Sequence, residues 1–336
     1  MQTQLTDIAI IGAGPTGLFA VFEAGMLKMR CHVIDSLDAI GGQCTALYPE
    51  KPIYDIPAYP VITAQELISC LEAQAAPFNP VYHLGQQVIS IQEQNGSFTL
   101  TTSKGTVIEA KAVIIASGAG AFGPNRPPLD KIENYEGTSV FYAVQQKENF
   151  RDKRIVIAGG GDSAIDWALS LAPIAAKVYL IHRRAKFRCA PESLDKIHAL
   201  EASGHIEMVV PYQLDALVGE AGKLKQVVVK DLDEQRRALD ADILLPFFGL
   251  AMDLGPITNW GLNIDYHHIQ VDPATLATNI AGIHAIGDIV TYPGKLKLIL
   301  NGFGEAAMAC HAIYPRVHPD QALHFEYSTS KGVVIA

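Results

Sequence analysis

Apolar residues in this chain fall into short unbroken runs that stop at glycine clusters, and the arrangement occurs twice. Ile8-Ala9-Ile10-Ile11 ends in Gly12-Ala13-Gly14-Pro15-Thr16-Gly17. A run that is apolar at every position suits a parallel strand buried on both faces. Leu18 to Leu27 predicts a helix, and Cys31-His32-Val33-Ile34-Asp35 predicts a second strand, closing a βαβ unit. The pattern returns at Arg154-Ile155-Val156-Ile157-Ala158, which runs into Gly159-Gly160-Gly161-Asp162-Ser163-Ala164. A helix through about Leu171 and the strand Lys177-Val178-Tyr179-Leu180-Ile181 follow. Two mononucleotide-binding units in one chain form an internal repeat, and each is expected to open its own domain.

Between the repeats, Ser97 to Leu100 and Thr106 to Glu109 predict a hairpin around Ser103-Lys104-Gly105, and Ala112 to Ala116 predicts another buried strand. The Pro/Gly-rich stretch 122–128 marks a first crossing between domains, and the stretch 242–249 marks a second. Ile283-His284-Ala285-Ile286-Gly287-Asp288 again reads as strand then turn, and a last helix is expected from about Gly304 to Ile313. The expected fold class is α/β, with two Rossmann-like, three-layer (ββα) dinucleotide-binding domains. The first would be discontinuous, over residues 1–117 and 243–336, with the second, 118–242, inserted between its halves.

Composition narrows the class. With 336 residues the chain is long enough for two apolar cores, and 49% hydrophobic with 18% charged residues is a globular balance. A net charge of −9 argues against general nucleic-acid binding, which needs a basic surface to displace counterions. The five cysteines, at 31, 44, 70, 189 and 310, are scattered and form no C-x-x-C pair, which reads as reduced thiols in a cytoplasmic protein. Residues 1–7 lack the pattern of a signal peptide, and the longest apolar run, Ile243 to Met252, contains Pro246 and is too short to cross a bilayer. The eleven histidines include no H-E-x-x-H and no His/Cys cluster, so no metal site is expected.

The glycines carry the first chemistry. In a G-x-G-x-x-G turn the first glycine permits the tight turn, the second lets backbone approach a pyrophosphate, and the third allows close helix–strand packing. Gly12, Gly14 and Gly17 have this spacing between a strand and a helix, and the helix start aims free N–H groups and a positive dipole end at the phosphates. Asp35 ends the next strand, where an acidic residue accepts hydrogen bonds from ribose hydroxyls and repels a 2′-phosphate. The first cradle therefore calls for FAD or NAD and disfavours NADP.

The second cradle has the opposite sign. Gly159, Gly161, Asp162, Ser163 and Ala164 form its phosphate turn, with alanine as the accepted last residue. Where an acid would end the following strand stand His182, Arg183 and Arg184, with Arg188 close behind. Guanidinium forks match phosphate oxygens. At about 1.5–3 kcal/mol per charge-assisted bond, two arginines favour NADPH over NADH by about 3–6 kcal/mol at most, and less at a wet site.

On these motifs the chain resembles the thioredoxin-reductase-like flavoproteins over nearly its whole length. Gly41-Gly42-Gln43 is similar to their flavin-contacting segment, and Ala285-Ile286-Gly287-Asp288 to their second FAD signature, whose aspartate binds the ribitol chain. Ala116-Ser117-Gly118 departs slightly from their usual Ala-Thr-Gly. The dithiols of the group are absent. Phe141-Tyr142-Ala143-Val144-Gln145 stands where thioredoxin reductases carry C-x-x-C, and Pro49 stands where the lipoamide-dehydrogenase type has the partner of Cys44. One thiol cannot cycle as an intramolecular disulfide, and Cys44 reads as a small buried residue.

Without that relay, electrons must leave the flavin directly, as in the ferredoxin–NADP⁺ reductases of the thioredoxin-reductase-like type. The segment from Gly41 to Asp55 and the tail Tyr327-Ser328-Thr329-Ser330 are similar to theirs. This resemblance implies that Tyr48 and Tyr327 stack on opposite flavin faces and that Ser328 or Thr329 hydrogen-bonds near N5. It implies that Thr16, Asp35, Gln43, Tyr48, Val88, Phe122, Asp288 and Thr329 contact FAD. It further implies hydride transfer from NADPH to flavin N5, then two one-electron steps to ferredoxin or a similar small carrier, in a homodimer. Lys51, Lys295, Lys297 and Lys331 are the candidate basic residues for an acidic carrier, given the acidic whole. A reductase acting on external thiols and a flavin-loaded redox sensor with little turnover are the alternative readings.

Replacing Arg183 and Arg184 together by alanine is expected to raise KM for NADPH strongly and to leave NADH nearly unchanged in steady-state assays. Equal losses for both nucleotides would reject the assignment of the basic strand end.

Overall fold

The computed structural model describes residues 3–118 and 120–323, apart from the side chains of residues 121–124 and 250–252. The chain forms two compact units, one built from the residues up to Phe122 and from Met252 onward, the other from Gly123–Ala251.

In the first unit the chain runs β1 (Gln4–Ile11), α1 (Pro15–Met26), β2 (Cys31–Ile34), α2 (Gln43–Leu47), α3 (Ala64–Ala75), β3 (Val81–His83), β4 (Val88–Gln94), β5 (Ser97–Thr102) and β6 (Val107–Ile115). β1 lies between two parallel neighbours, pairing Ile8 with Cys31 of β2 and with Ala112 of β6. β3 extends the sheet beyond β2, and the β4–β5 hairpin joins antiparallel to β6. The segments expected as two strands, 106–109 and 112–116, are one continuous strand, β6. A capping box starts α3: Thr63 Oγ1 accepts from the Glu66 N–H and Glu66 accepts from the Thr63 N–H.

The second unit contains β7 (Arg154–Ala158), α4 (Asp162–Leu171), β8 (Lys177–Ile181), α5 (Pro191–Ala202), β9 (Ile206–Val209), β10 (Gln213–Glu220), β11 (Lys223–Lys230), β12 (Arg236–Asp240) and β13 (Ile243–Pro246). Its parallel sheet has the order β9-β8-β7-β13, and β10, β11 and β12 form a separate antiparallel sheet. β13 differs from the sequence reading, which gave residues from 243 to the first domain. All four of its residues are buried, and it pairs in register with β7, Ile155 opposite Ile243. Removing it would expose one flank of the central strand, so the chain crosses back only after Ala251.

On its return the chain adds β14 (Ile283–Ala285), parallel to the second half of β6, and then α6 (Ile299–Val317). This helix extends beyond both ends of the expected span, from about Gly304 to Ile313. Gly302 is there for contact: a Cβ on it would stand 2.4 Å from Thr16 Oγ1. Residues Ile8 and Ile10 of β1 face α1 and α6, together with Ala20, Val21, Ala309 and Ile313. Ala9 and Ile11 face the other layer, with Phe98, Leu100, Ile269 and Val290. A sheet packed on both faces needs the unbroken apolar run that the sequence shows. Among the described residues, no helix is long and apolar enough to cross a membrane.

Two histidines meet across β2 and β3, His32 Nδ1 lying 3.0 Å from His83 Nε2, both largely buried. Burial first, and then the charges of His83 and Arg30, hold the His32 pKa down at about 4, and burial lowers that of His83. In the unfolded chain both take up protons near pH 6.5, so their contribution to stability is present above that pH and lost as pH falls toward 4. The denaturant midpoint of wild type is expected to drop between pH 7.5 and 4.5 by more than that of His83→Gln. Identical pH dependence in the two proteins would show that the pair does not titrate in this way.

Candidate functional site

The first cradle is a point where three backbone segments converge too closely for side chains. Gly12, at φ +113°, closes β1, and a Cβ there would lie 2.4 Å from the carbonyl oxygen of Ala116. A Cβ on Gly17 would lie 2.0 Å from the Gly12 carbonyl oxygen. Gly14 differs, because a Cβ there meets nothing within 4 Å. It is the N-cap of α1, followed by Pro15, and no side chain caps the helix. Open space in front of uncapped N–H groups is what a pyrophosphate requires.

Asp35 follows β2 and ties two backbone segments together. Its Oδ2 accepts the Ala13 N–H at 2.6 Å and its Oδ1 accepts the Leu37 N–H at 2.8 Å, tying the glycine turn to the next loop. Burial raises its pKa above the ordinary value, although these backbone donors oppose the rise.

These groups open on one cleft, with about 1120 Å³ free of protein atoms when the open solvent at its mouth is included. Gly12, Gly14, Thr16, Asp35, Gln43, Tyr48, Val88 and Asp288 all line it, which brings together most of the residues chosen from sequence. Gly17 lies behind the wall, as its packing contact requires. Phe122 lies on the strand Ala121–Pro124, whose side chains lie outside the described residues, as do Tyr327, Ser328 and Thr329.

Sequence reasoning missed part of the wall. Leu254, Pro256, Ile257 and Trp260 line it beside Gln86 and Gln87, from a 3₁₀ turn (Gly255–Asn259) that carries no recognisable motif. Ser117 Oγ and Trp260 Nε1, both on residues of this wall, are buried and hold no hydrogen bond among the described residues. Leaving such atoms unpaired costs about 1–3 kcal/mol each, so they fit a ligand that brings its own polar groups.

Cys44 is in the wall but is unsuited to thiolate chemistry. It is buried, and burial pushes its pKa up to about 11, with a bond to Tyr48 opposing the rise. The same burial, with the nearby Cys44 and Asp288, keeps the Tyr48 phenol protonated. All five cysteines are free. Cys31 and Cys310 lie within the apolar core, where burial raises both thiols.

The second cradle belongs to the second unit. A Cβ on Gly159 would meet the Ala164 methyl at 2.9 Å, so the turn closes tightly even with alanine as its last residue. Gly161 is the N-cap of α4, with no side-chain cap, and Asp162 and Ser163 begin the helix. The half-buried His182 ring packs close to the turn, 2.3 Å from where a Gly160 Cβ would be, and against Phe187. Burial first, and then the adjacent arginines, lower its pKa below the ordinary histidine value, with a backbone hydrogen bond at Lys186 opposing the fall. Arg183, Arg184 and Arg188 are exposed, and their guanidinium groups hold no hydrogen bond or ion pair among the described residues. Arg188 is anchored by backbone, its N–H donating to the Gly160 carbonyl at 2.7 Å. The unit thus presents three free cations beside a phosphate turn.

The candidate basic patch needs one correction. Lys295 is buried and bonded to Glu305, so it cannot meet a visiting protein. Lys297 donates to His268 Nε2 at 2.7 Å at the surface, Lys51 lies 5.9 Å from the Tyr48 ring centre, and Lys331 is outside the described residues. The sequence showed a lysine near a signature turn but not the carboxylate beneath it.

Residues 6–308 match the family model described as pyridine nucleotide-disulphide oxidoreductase. The chain belongs to this family. It is therefore an oxidoreductase of the pyridine nucleotide-disulphide oxidoreductase group, although it lacks a paired cysteine. It is 61% identical over 330 residues to a protein named ferredoxin–NADP reductase from Rickettsia felis, covering 98% of each chain. A protein of the same name from Granulibacter bethesdensis is 61% identical, covering 98% of this chain and 94% of that one. The crystal structure of thioredoxin reductase from T. acidophilum superposes with a TM-score of 0.81 at 24% identity, over 93% of this chain and 98% of that one. The fold is that of thioredoxin reductase.

Two glycine variants separate packing from binding. Gly17→Ala collides with backbone and is expected to cost about 3 kcal/mol in urea unfolding. Gly14→Ala has room, and is expected to stay within about 1 kcal/mol of wild type while retaining about tenfold less dinucleotide on purification. Equal destabilisation by both would contradict the difference in their surroundings.

Proposed function

We propose that this oxidoreductase transfers electrons between NADPH and ferredoxin through one bound FAD. The carrying observation is the pair of cradles of opposite character, an acid-terminated one opening on a large cleft and an arginine-bordered one, with no cysteine pair in either. The name borne by relatives at 61% identity over nearly the whole chain supports ferredoxin as the carrier.

In this reading the first unit holds FAD. The Gly14 space and the start of α1 take the pyrophosphate, Asp35 the adenosine ribose, Asp288 the ribityl chain, and Tyr48 one face of the ring. The family resemblance assigns Tyr327, Ser328, Thr329 and Phe122 to the remainder of the ring's surroundings. The second unit holds NADPH, with Arg183, Arg184 and Arg188 at the 2′-phosphate and the start of α4 at the pyrophosphate. Bound FAD would supply what side chains lack, the acceptance of a two-electron hydride and its release as single electrons. The balance is one NADPH and two oxidised ferredoxins giving one NADP⁺, one proton and two reduced ferredoxins. The protein's own part is to hold, orient and shield. Cys44, kept as a thiol, takes no part.

The test is spectroscopic. NADPH is expected to bleach the flavin absorbance of the purified protein rapidly, NADH much more slowly, and cytochrome c reduction is expected only when ferredoxin is added. A colourless protein, or NADPH-dependent reduction of a protein disulfide without ferredoxin, would overturn the reading.

A further inference from the structure

Behind the turn that presents Asp288, the first unit buries a charge pair. The side chains of Glu305 on α6 and Lys295 are 4% and 5% exposed. Lys295 donates to Glu305 Oε1, and the Tyr292 hydroxyl donates to the same oxygen at 2.6 Å. The other oxygen, Oε2, accepts the backbone N–H of Gly287 at 2.6 Å. Gly287, at φ +80°, is held from its other side as well, since a Cβ on it would meet Thr16 Oγ1 at 3.3 Å.

Taking two charges out of water costs several kcal/mol for each, and an apolar pair of similar volume is often as stable or more so. Stability alone therefore gives no reason for this arrangement. Its geometry does, because one carboxylate collects an ammonium, a phenol and the peptide N–H immediately before Asp288. From these contacts we infer that Glu305, neutralised by Lys295, is a positioning residue for the ligand of the first cleft. It fixes the Gly287 peptide and so the direction of the Asp288 carboxylate, and it acts through that residue without touching the ligand. The inference rests on the reading that this cleft takes FAD.

The experiment uses the FAD-loaded protein and follows flavin fluorescence as FAD is released on dilution, with thermal unfolding measured alongside. Glu305→Leu with Lys295→Met removes the charges and the bond to Gly287 together. It is expected to release FAD at least tenfold faster while melting close to wild type. Glu305→Gln with Lys295→Met keeps an acceptor for the Gly287 N–H and is expected to change release less than threefold. In an Asp288→Ala background the tenfold effect is expected to vanish, because residues acting through one another are not additive. Wild-type release from the Leu/Met protein, equal release from the Gln and Leu versions, or a tenfold effect that persists without Asp288 would each overturn the inference. Should the Leu/Met protein fail to fold, hydrogen exchange decides. In wild type stripped of FAD the Gly287 amide is expected to be protected already, and protection only after FAD is added would overturn the inference. A wild-type protein that binds no FAD fails the reading of the cleft instead.

Discussion

The architecture of the first unit depends on a close approach of backbone to backbone. The end of β1, the start of α1 and the segment after β6 meet where Gly12 and Gly17 stand, at distances that exclude any Cβ. This convergence lets a helix N-terminus open at the head of a parallel sheet, where its free N–H groups face space. Thr16 extends the same crowding to α6, whose Gly302 has no room for a side chain. The cleft is the remaining volume in front of these contacts, and its shape follows from what the backbone may not carry.

Electrostatics then gives the two cradles different tasks. Asp35, half-buried and held by backbone donors, is an acidic residue at the end of the strand that follows the first turn. Three exposed arginines, without side-chain partners among the described residues, stand at the matching position of the second. Similar turns thus carry different residues at the end of the following strand, an acid after the first and arginines after the second, the position at which a ribose 2′-hydroxyl is told from a 2′-phosphate in folds of this kind. His182 differs from its neighbours in the basic segment, since its ring packs close to Gly160 and against Phe187 while the arginines are exposed.

Around the first cleft, buried polar groups are of two kinds. Ser117 and Trp260 leave polar atoms without partners at the cleft wall, whereas Glu305 and Lys295 satisfy each other behind it. The first kind fits a ligand, and the second braces the turn that would touch one. Cys44 shows the opposite outcome, a reactive atom disarmed by its surroundings.

Local chemistry in the sequence determined a great deal here. The two glycine turns, the apolar strands before them, Asp35 and the arginine cluster are short-range signals, each set by the conformation or charge of a few adjacent residues. Gly12, Gly14 and Asp35 of the cleft's lining were legible for that reason, while Gln43, Tyr48, Val88 and Asp288 came from the family resemblance. Tertiary structure alone decided the rest, because it depends on contacts between residues far apart in the chain. β13 belongs to the second sheet because β7 needs a buried neighbour there, which composition near residue 243 does not reveal. Within α6, Gly302 lies against Thr16, a residue far away in the chain, with no space for a side chain. Trp260 joined the wall from a turn with no motif, and Lys295 was removed from the surface by a carboxylate ten positions along the chain, on the inward face of a helix. Burial is a property of the packed molecule, and no window of sequence records it.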